Sequence, residues 1–213
     1  SSAVVLATLR APISFPECAS PASRLYTSLT QRGAEHLRVT AGLQDRVIQC
    51  YEGCVYMDFS RELLESRGFG QYERLDPARL PKLYIAYKTA LGKVSGRVLN
   101  DVRARWEKGD PLVVVNLAQI AGVAEAGRQA LAEGDHAALP GLINQNFDLR
   151  RQIMRISDSN LQLVETARRL GASASFTGSG GSIIGTYTDD EMLNRLFVEL
   201  KKLDARVIKP FVV

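Results

Sequence analysis

The sequence predicts an α+β protein whose second half is a split β-α-β arrangement of the ferredoxin type, with extra helices in its first crossover. Three observations lead there. From Leu83 onward the element order reads strand, several helices, strand, strand, helix, strand. The two middle strands of that series flank a glycine-rich stretch, Phe176-Thr177-Gly178-Ser179-Gly180-Gly181-Ser182. A charged, irregular run from Ser60 to Pro81, with Gly68, Gly70, Asp76-Pro77 and Leu80-Pro81, punctuates the chain and sets a domain boundary between residues 1–76 and 77–213.

Taken in order, Ser1 to Leu9 reads as the opening of an apolar helix, and Pro12, Pro16 and Pro21 break it into a loop. Ala22 to Leu37 is a polar-faced helix. The small residues Thr40-Ala41-Gly42 then lead into a helix with Asp45 near its start, where the helix dipole favours an ionised carboxylate by about 0.3–1 kcal/mol. Gly53 allows a turn into a strand, Cys54 to Phe59, and Leu83 to Tyr87 is the first strand of the second half. A loop from Lys88 to Gly96 precedes a basic helix, Arg97 to Lys108.

Asp110-Pro111 supplies an N-cap and a proline at the first helical position, and Leu117, Ile120, Ala121, Ala124 and Leu131 then recur at helical spacing until Gly134. Asp135 caps a helix expected from Ala137 to Ile156, because Pro140 is tolerated only in a first turn. On it Asn144, Asp148 and Arg151 share a face, with Arg150 beside them. Ser159 to Gln162 reads as a capping box and Leu170-Gly171 as its stop; Thr188 to Glu191 reads as a second box ahead of the stripe Leu193, Leu196, Phe197, Leu200 and Leu203. Arg206 to Phe211 closes the series as a strand that Pro210 confines to a sheet edge.

The 213 residues carry a formal charge of +4 that is dispersed without a polybasic tract, and 46% of them are hydrophobic, enough for a proper core. Nothing approaches the ~18 consecutive apolar residues of a membrane span, and the strands lack the aromatic signature of an RNA-binding sheet. Cys18, Cys50 and Cys54 have no metal-ligand spacing and suit free thiols in a reducing, cytoplasmic compartment. In the glycine-rich stretch, Gly178, Gly180 and Gly181 let the backbone take positive φ and bring several N–H groups close to an anion, although a tight hairpin turn uses the same residues.

With these pieces placed, the chain resembles the GHMP small-molecule kinases, and within them most closely the plant-type glucuronokinases. The matching residues are Ala41 to Val47, Met57-Asp58-Phe59-Ser60, Ser95-Gly96 ahead of Val102 to Trp106, Asn146-Phe147-Asp148 with Arg150-Arg151, and Phe176 to Gly181. Ser1-Ser2-Ala3 resembles the tail of the family's central phosphate motif, whose preceding glycines are absent. The resemblance implies a remnant of an S5-like N-terminal domain, with the nucleotide and catalytic machinery, followed by the ferredoxin-like domain.

It also implies that Asp45 is the catalytic carboxylate. Ser1 or Ser2 would approach Mg²⁺ or the ATP phosphates, and Thr177 to Gly181 would close the site beside them. Glu35 is carried over as a metal ligand, although it stands one residue nearer to Asp45 than in the family pattern, and one residue on a helix turns a side chain by about 100°.

The expected reaction is transfer of the ATP γ-phosphate to the anomeric hydroxyl of glucuronate or a related sugar. Arg150, Arg151 and Arg97 are candidates for a sugar carboxylate, since a guanidinium fork matches that group, and Asp148 for a further substrate contact. Galactose, fucose and mevalonate are alternative acceptors, and a catalytically silent ligand- or partner-binding relative is the competing reading. The family's N-terminal segment is missing from these residues, so a further segment or a second chain is expected to complete the first domain, and Ser1 to Val213 alone is expected to be a poor catalyst.

Overall fold

The computed structural model describes residues 43–88 and 95–212, without the side chains at positions 45, 46, 49, 50 and 95–100. Their contacts divide them into two compact units, one up to Pro77 together with Val212, the other from Ala78 to Phe211.

In the first unit, helix α1 (Leu43–Tyr51) leads through Glu52 and Gly53, at φ of 57° and 67°, into strand β1 (Cys54–Asp58). Helix α2 (Arg61–Arg67) and strand β2 (Gln71–Leu75) follow. The sequence reading of irregular chain from Ser60 to Pro81 is therefore corrected. Leu63 and Leu64 give α2 an apolar edge, Gly68 at φ 76° ends it as a left-handed cap, and Gln71 to Leu75 pairs antiparallel with β1 from Asp58↔Gln71 to Cys54↔Leu75. Charge alternation had disguised a strand whose faces are mostly wet. Tyr72 stands edge-on to both Tyr51 and Phe59, each 5.6 Å away between ring centroids, and Arg74 covers the Tyr51 ring.

The second unit is one antiparallel sheet with helices. After a short 3₁₀ turn (Pro77–Arg79) come β3 (Leu83–Lys88), α3 (Ser95–Glu107), α4 (Pro111–Glu133), α5 (Ala138–Ile153) and α6 (Asp158–Arg169). Then follow β4 (Ser175–Phe176), β5 (Ser182–Thr186), α7 (Asp190–Lys201) and β6 (Ala205–Ile208). The sheet order is β4-β5-β3-β6, which is the ferredoxin order, and the first crossover holds four helices. The α+β expectation and its extra helices are met.

Alternation explains the core. Tyr84 and Ala86 of β3, Phe176 of β4, Ile183 of β5 and Val207 of β6 share one face of the sheet. They bury against Leu163, Val164 and Ala167 of α6 and Leu193, Leu196 and Leu200 of α7, with Phe147 of α5 meeting Phe176 edge-on at 5.1 Å. Gly185 lets the chain close: a Cβ there would lie 1.7 Å from the Ser173 carbonyl oxygen, the oxygen to which the Tyr84 hydroxyl donates at 2.8 Å. Burial drives that phenol well above its ordinary pKa, so it stays a neutral donor.

The helix signals hold with shifts. Asp110 accepts from the Leu112 N–H at 3.0 Å and Pro111 opens α4, which Gly134 closes at φ 75°. Arg105 of α3 bonds Asp110 at 2.9 Å and the Ile153 carbonyl at 3.1 Å, joining three helices and holding the Asp110 carboxyl below its ordinary pKa. Helix α5 stops at Ile153, three residues before the expected Ile156, because Met154 turns to extended backbone. Neither capping box forms as read. Ser159 lies inside α6, whose N-cap is Ser157, and the cap of α7 is Asp189, accepting from Met192 N–H at 2.8 Å while Thr188 donates to Asp189.

Candidate functional site

Strands β4 and β5 form the expected hairpin, paired through Ser175↔Ile184 and Phe176↔Ile183, and the glycine-rich stretch is its turn. Thr177 N–H donates to the Ser182 carbonyl at 3.2 Å, and the Thr177 and Ser182 hydroxyls bond to each other, which pins the two ends. Gly180 and Gly181 sit at φ of 137° and 79°, the conformations that required glycine.

The turn is gripped from two helices and one strand. Arg150 of α5 donates from Nη1 to the Phe176 carbonyl at 3.1 Å and from Nη2 to the Gly178 carbonyl. From α6, Asn160 Oδ1 accepts the Gly181 N–H at 3.1 Å. On β3, Lys88 N–H donates to the Gly181 carbonyl at 3.0 Å while its ammonium bonds the Ser159 hydroxyl. Among the described residues nothing accepts from the N–H groups of Gly178, Ser179 and Gly180. No described carboxylate pairs with Arg150, whose guanidinium otherwise lies 5.9 Å from the centroid of the Phe176 ring; burial lowers its pKa, yet a guanidinium stays charged. Unspent N–H donors in front of a cation are what a phosphate group requires.

The rest of the polar set on α5 does other work. Asn144 accepts the Ala174 N–H at 2.9 Å, and Asp148 pairs with Arg168 of α6 at 2.7 Å. Arg168 also donates to the carbonyls of Asn144 and Ala174 and lies over the Phe147 ring, so this corner fastens α5, α6 and the entry to β4 together. Arg151 is exposed. The shared face read from the sequence thus separates into a stapled corner, a grip on the turn by Arg150, and one wet arginine. Beside the hairpin, Val123, Leu142, Ile143, Phe176 and Ile184 line an apolar cavity of about 240 Å³. Its polar members, Asn146 and Ser175, bond each other at 2.9 Å, and with no cation in its wall it does not suit an anion.

Asp45 is the third residue of α1, near its start as expected, and Arg97 is the third of α3, which begins at Ser95 rather than at Arg97; the side chains of both lie outside the description. Ser1, Ser2 and Glu35 lie outside the described residues altogether, and with them the expected metal ligands. Among the described residues no three His, Cys, Asp or Glu side chains converge on a common point, and no helix is long and apolar enough to cross a membrane. Cys54 is a half-buried free thiol whose pKa burial raises, which keeps it unreactive. The residue at the turn that the sequence reading missed is Asn160. It looked like part of a cap, and only the fold brings it across to Gly181.

Residues 128–204, from the last part of α4 to the residue before β6, match the family model described as GHMP kinases C terminal. The chain is similar to two Arabidopsis thaliana proteins. It is 40% identical to probable glucuronokinase 2 over 215 residues, 99% of this chain and 58% of that protein. It is 42% identical to glucuronokinase 1 over 153 residues, 70% of this chain and 42% of that one. The chain therefore spans about half the length of the curated relatives it matches. Among solved structures, Streptococcus pneumoniae phosphomevalonate kinase in complex with phosphomevalonate and AMPPNP superposes with a TM-score of 0.74 at 16% identity, over 98% of this chain and 68% of that one. That likeness speaks for the fold.

Proposed function

We propose that the protein is an ATP-dependent sugar kinase that phosphorylates the anomeric hydroxyl of glucuronate or a closely related sugar acid. The observation that carries this reading is the 177–181 turn, with three unspent N–H groups and Arg150 behind it, in a chain 42% identical over 153 residues to glucuronokinase 1 of Arabidopsis thaliana. In phosphoryl transfer the protein contributes mostly positioning and charge neutralisation. Thr177, Gly178, Ser179, Gly180 and Gly181 would hold nucleotide phosphates, with Ser1 and Ser2 approaching the same group. Mg²⁺, bound when the nucleotide is, would neutralise charge on the β- and γ-phosphates, and Ser2 and Glu35 are its proposed ligands.

In this reading residues 1–76 contribute the catalytic side of the enzyme and residues 77–213 the second domain. Asp45, held near a helix N-terminus, would accept the proton of the sugar hydroxyl. The hydroxyl oxygen forms a bond to the γ-phosphorus as the bond to the β,γ-bridging oxygen breaks, giving a sugar 1-phosphate and ADP. The sugar carboxylate would meet an arginine; Arg97 and Arg151 have the suitable group, with Asp148 already committed to Arg168.

The test is ADP release by the natural full-length polypeptide, with ATP and Mg²⁺, against glucuronate, galacturonate, galactose, fucose and mevalonate. Selective turnover of a sugar acid is expected, and Asp45→Asn should lower kcat by at least ~100-fold, the usual worth of a general base. Equal turnover of wild type and Asp45→Asn refutes the role of Asp45; silence of a folded wild type across the panel refutes the acceptor class.

A further inference from the structure

We infer that Arg150 and Asn160 are positioning residues for nucleotide binding, a clamp that fixes which side of the glycine-rich turn faces the phosphates. In a trans peptide unit the C=O and the following N–H point in opposite directions, and no cis peptide occurs among the described residues. Arg150 draws the Gly178 carbonyl oxygen toward α5, so the Ser179 N–H points away from α5. The same guanidinium holds the Phe176 carbonyl, and the opposed Thr177 N–H goes to Ser182. One side chain thereby turns two oxygens, each of which would repel a phosphate, onto its own cation.

Asn160 acts on the far side of the turn. Its Oδ1 takes the Gly181 N–H, and its amide nitrogen lies 2.8 Å from where a Cβ on Gly180 would stand. The hydrogen bond holds the 180–181 peptide in one orientation, and a side chain on Gly180 would have to push the Asn160 amide aside. The two grips come from different helices, α5 and α6, and between them lie the three residues whose N–H groups remain unspent. Arg150 adds its charge. Its commitment to two carbonyls makes it a poor choice for the sugar carboxylate, which separates it from Arg97 and Arg151.

This inference rests on the kinase reading only in taking nucleotide phosphate as the guest of the turn. Its test uses the natural full-length polypeptide with Arg150→Met, Arg150→Lys and Asn160→Ala. Direct binding of ATP and of inorganic tripolyphosphate is measured by calorimetry, KM for ATP and for the sugar by ADP release, and exchange of the 178–181 amides by mass spectrometry. Arg150→Met and Asn160→Ala should each weaken ATP binding and raise its KM by at least ~10-fold, as expected for losing charge-assisted or buried bonds, while KM for the sugar stays within about 2-fold. Exchange across 178–181 should rise, and Arg150→Lys, which keeps the charge without the fork, should fall between wild type and Met.

Unchanged ATP and tripolyphosphate binding in the variants overturns the clamp, and so does a rise confined to KM for the sugar. If wild type binds tripolyphosphate but turns over no sugar, the kinase reading fails and binding alone decides the clamp. A wild type that binds neither anion overturns it. Should Arg150→Met not fold, Asn160→Ala, whose replaced side chain leaves Gly181 N–H at the surface, carries the decision.

Discussion

Two glycine-containing turns in this protein use the same residue for opposite ends. Between α2 and β2, Gly68 donates its N–H to the Leu64 carbonyl at 3.0 Å, and Gly70 donates to the Tyr72 hydroxyl at 3.1 Å. A Cβ on Gly70 would stand 2.3 Å from the Asp58 carbonyl oxygen and 3.0 and 3.1 Å from the Phe59 and Tyr72 rings. That turn closes upon itself: Gly70 is there because nothing larger fits, and Gly68, with open space around it, because its φ is 76°. Between β4 and β5 the grip comes from outside, through Arg150, Asn160 and Lys88, and the turn's own donors at 178–180 stay unspent. Glycine content alone does not separate a packed turn from a presenting one. What separates them is where the N–H groups go.

The comparison is broken most severely by filling the packed turn. Gly70→Ala puts a methyl against backbone that cannot rotate away, so the β1–β2 hairpin must shift, at a cost of about 3 kcal/mol, the upper range for overpacking. Urea unfolding should show that loss as a lowered midpoint; an unchanged midpoint would mean that the hairpin accommodates the methyl and that the turn is not packed as described.

A smaller effect is expected at the presenting turn. Gly180→Ala forces an L-residue to φ 137° and pushes the Asn160 amide, a side chain able to swing aside, so strain of about 1–3 kcal/mol is expected. Gly178→Ala meets nothing within 4 Å, and its φ is not positive, so its unfolding midpoint should match wild type. Equal midpoints for the two alanine variants would show that Asn160 does not constrain the turn.

The sequence carried the sheet further than it carried the site. Alternation at Tyr84, Ala86, Ile183 and Val207, and the stripe Leu193, Leu196 and Leu200, are local patterns with a fixed period, so strands, helices and their order could be read directly. Strand β2 escaped because Gln71, Glu73 and Arg74 cover a hairpin that buries little. On α5, the spacing of Asn144, Asp148 and Arg151 located a common face but not the partners on it, since Arg168 is 20 residues away from Asp148 and Phe176 is 26 from Arg150. Asn160 and Gly181 are 21 residues apart and meet only because α6 packs beside the hairpin. Such pairings are properties of the fold, and no motif spacing encodes them.

The smallest expected effect sharpens the comparison through pH. The packed turn closes on a titratable group, the Tyr72 phenol, whose pKa burial raises above the ordinary 10.0. The presenting turn closes on an arginine and an amide, which do not titrate in the accessible range. A raised phenol pKa favours the protonated, folded form. Its contribution is complete below the ordinary value and is lost as pH climbs through the higher folded value, because the unfolded chain then binds fewer protons than the native one. Stability should therefore fall more steeply in wild type than in Tyr72→Phe as pH rises past the ordinary phenol value of 10.0. Tyr72→Phe should also cost about 0.5–1.5 kcal/mol at neutral pH, since Gly70 loses its acceptor. Parallel curves of Tm against pH for the two proteins would show that the Tyr72 phenol is not buried in the turn as described, and an unchanged neutral-pH stability of Tyr72→Phe would show that the Gly70–Tyr72 contact does not close it.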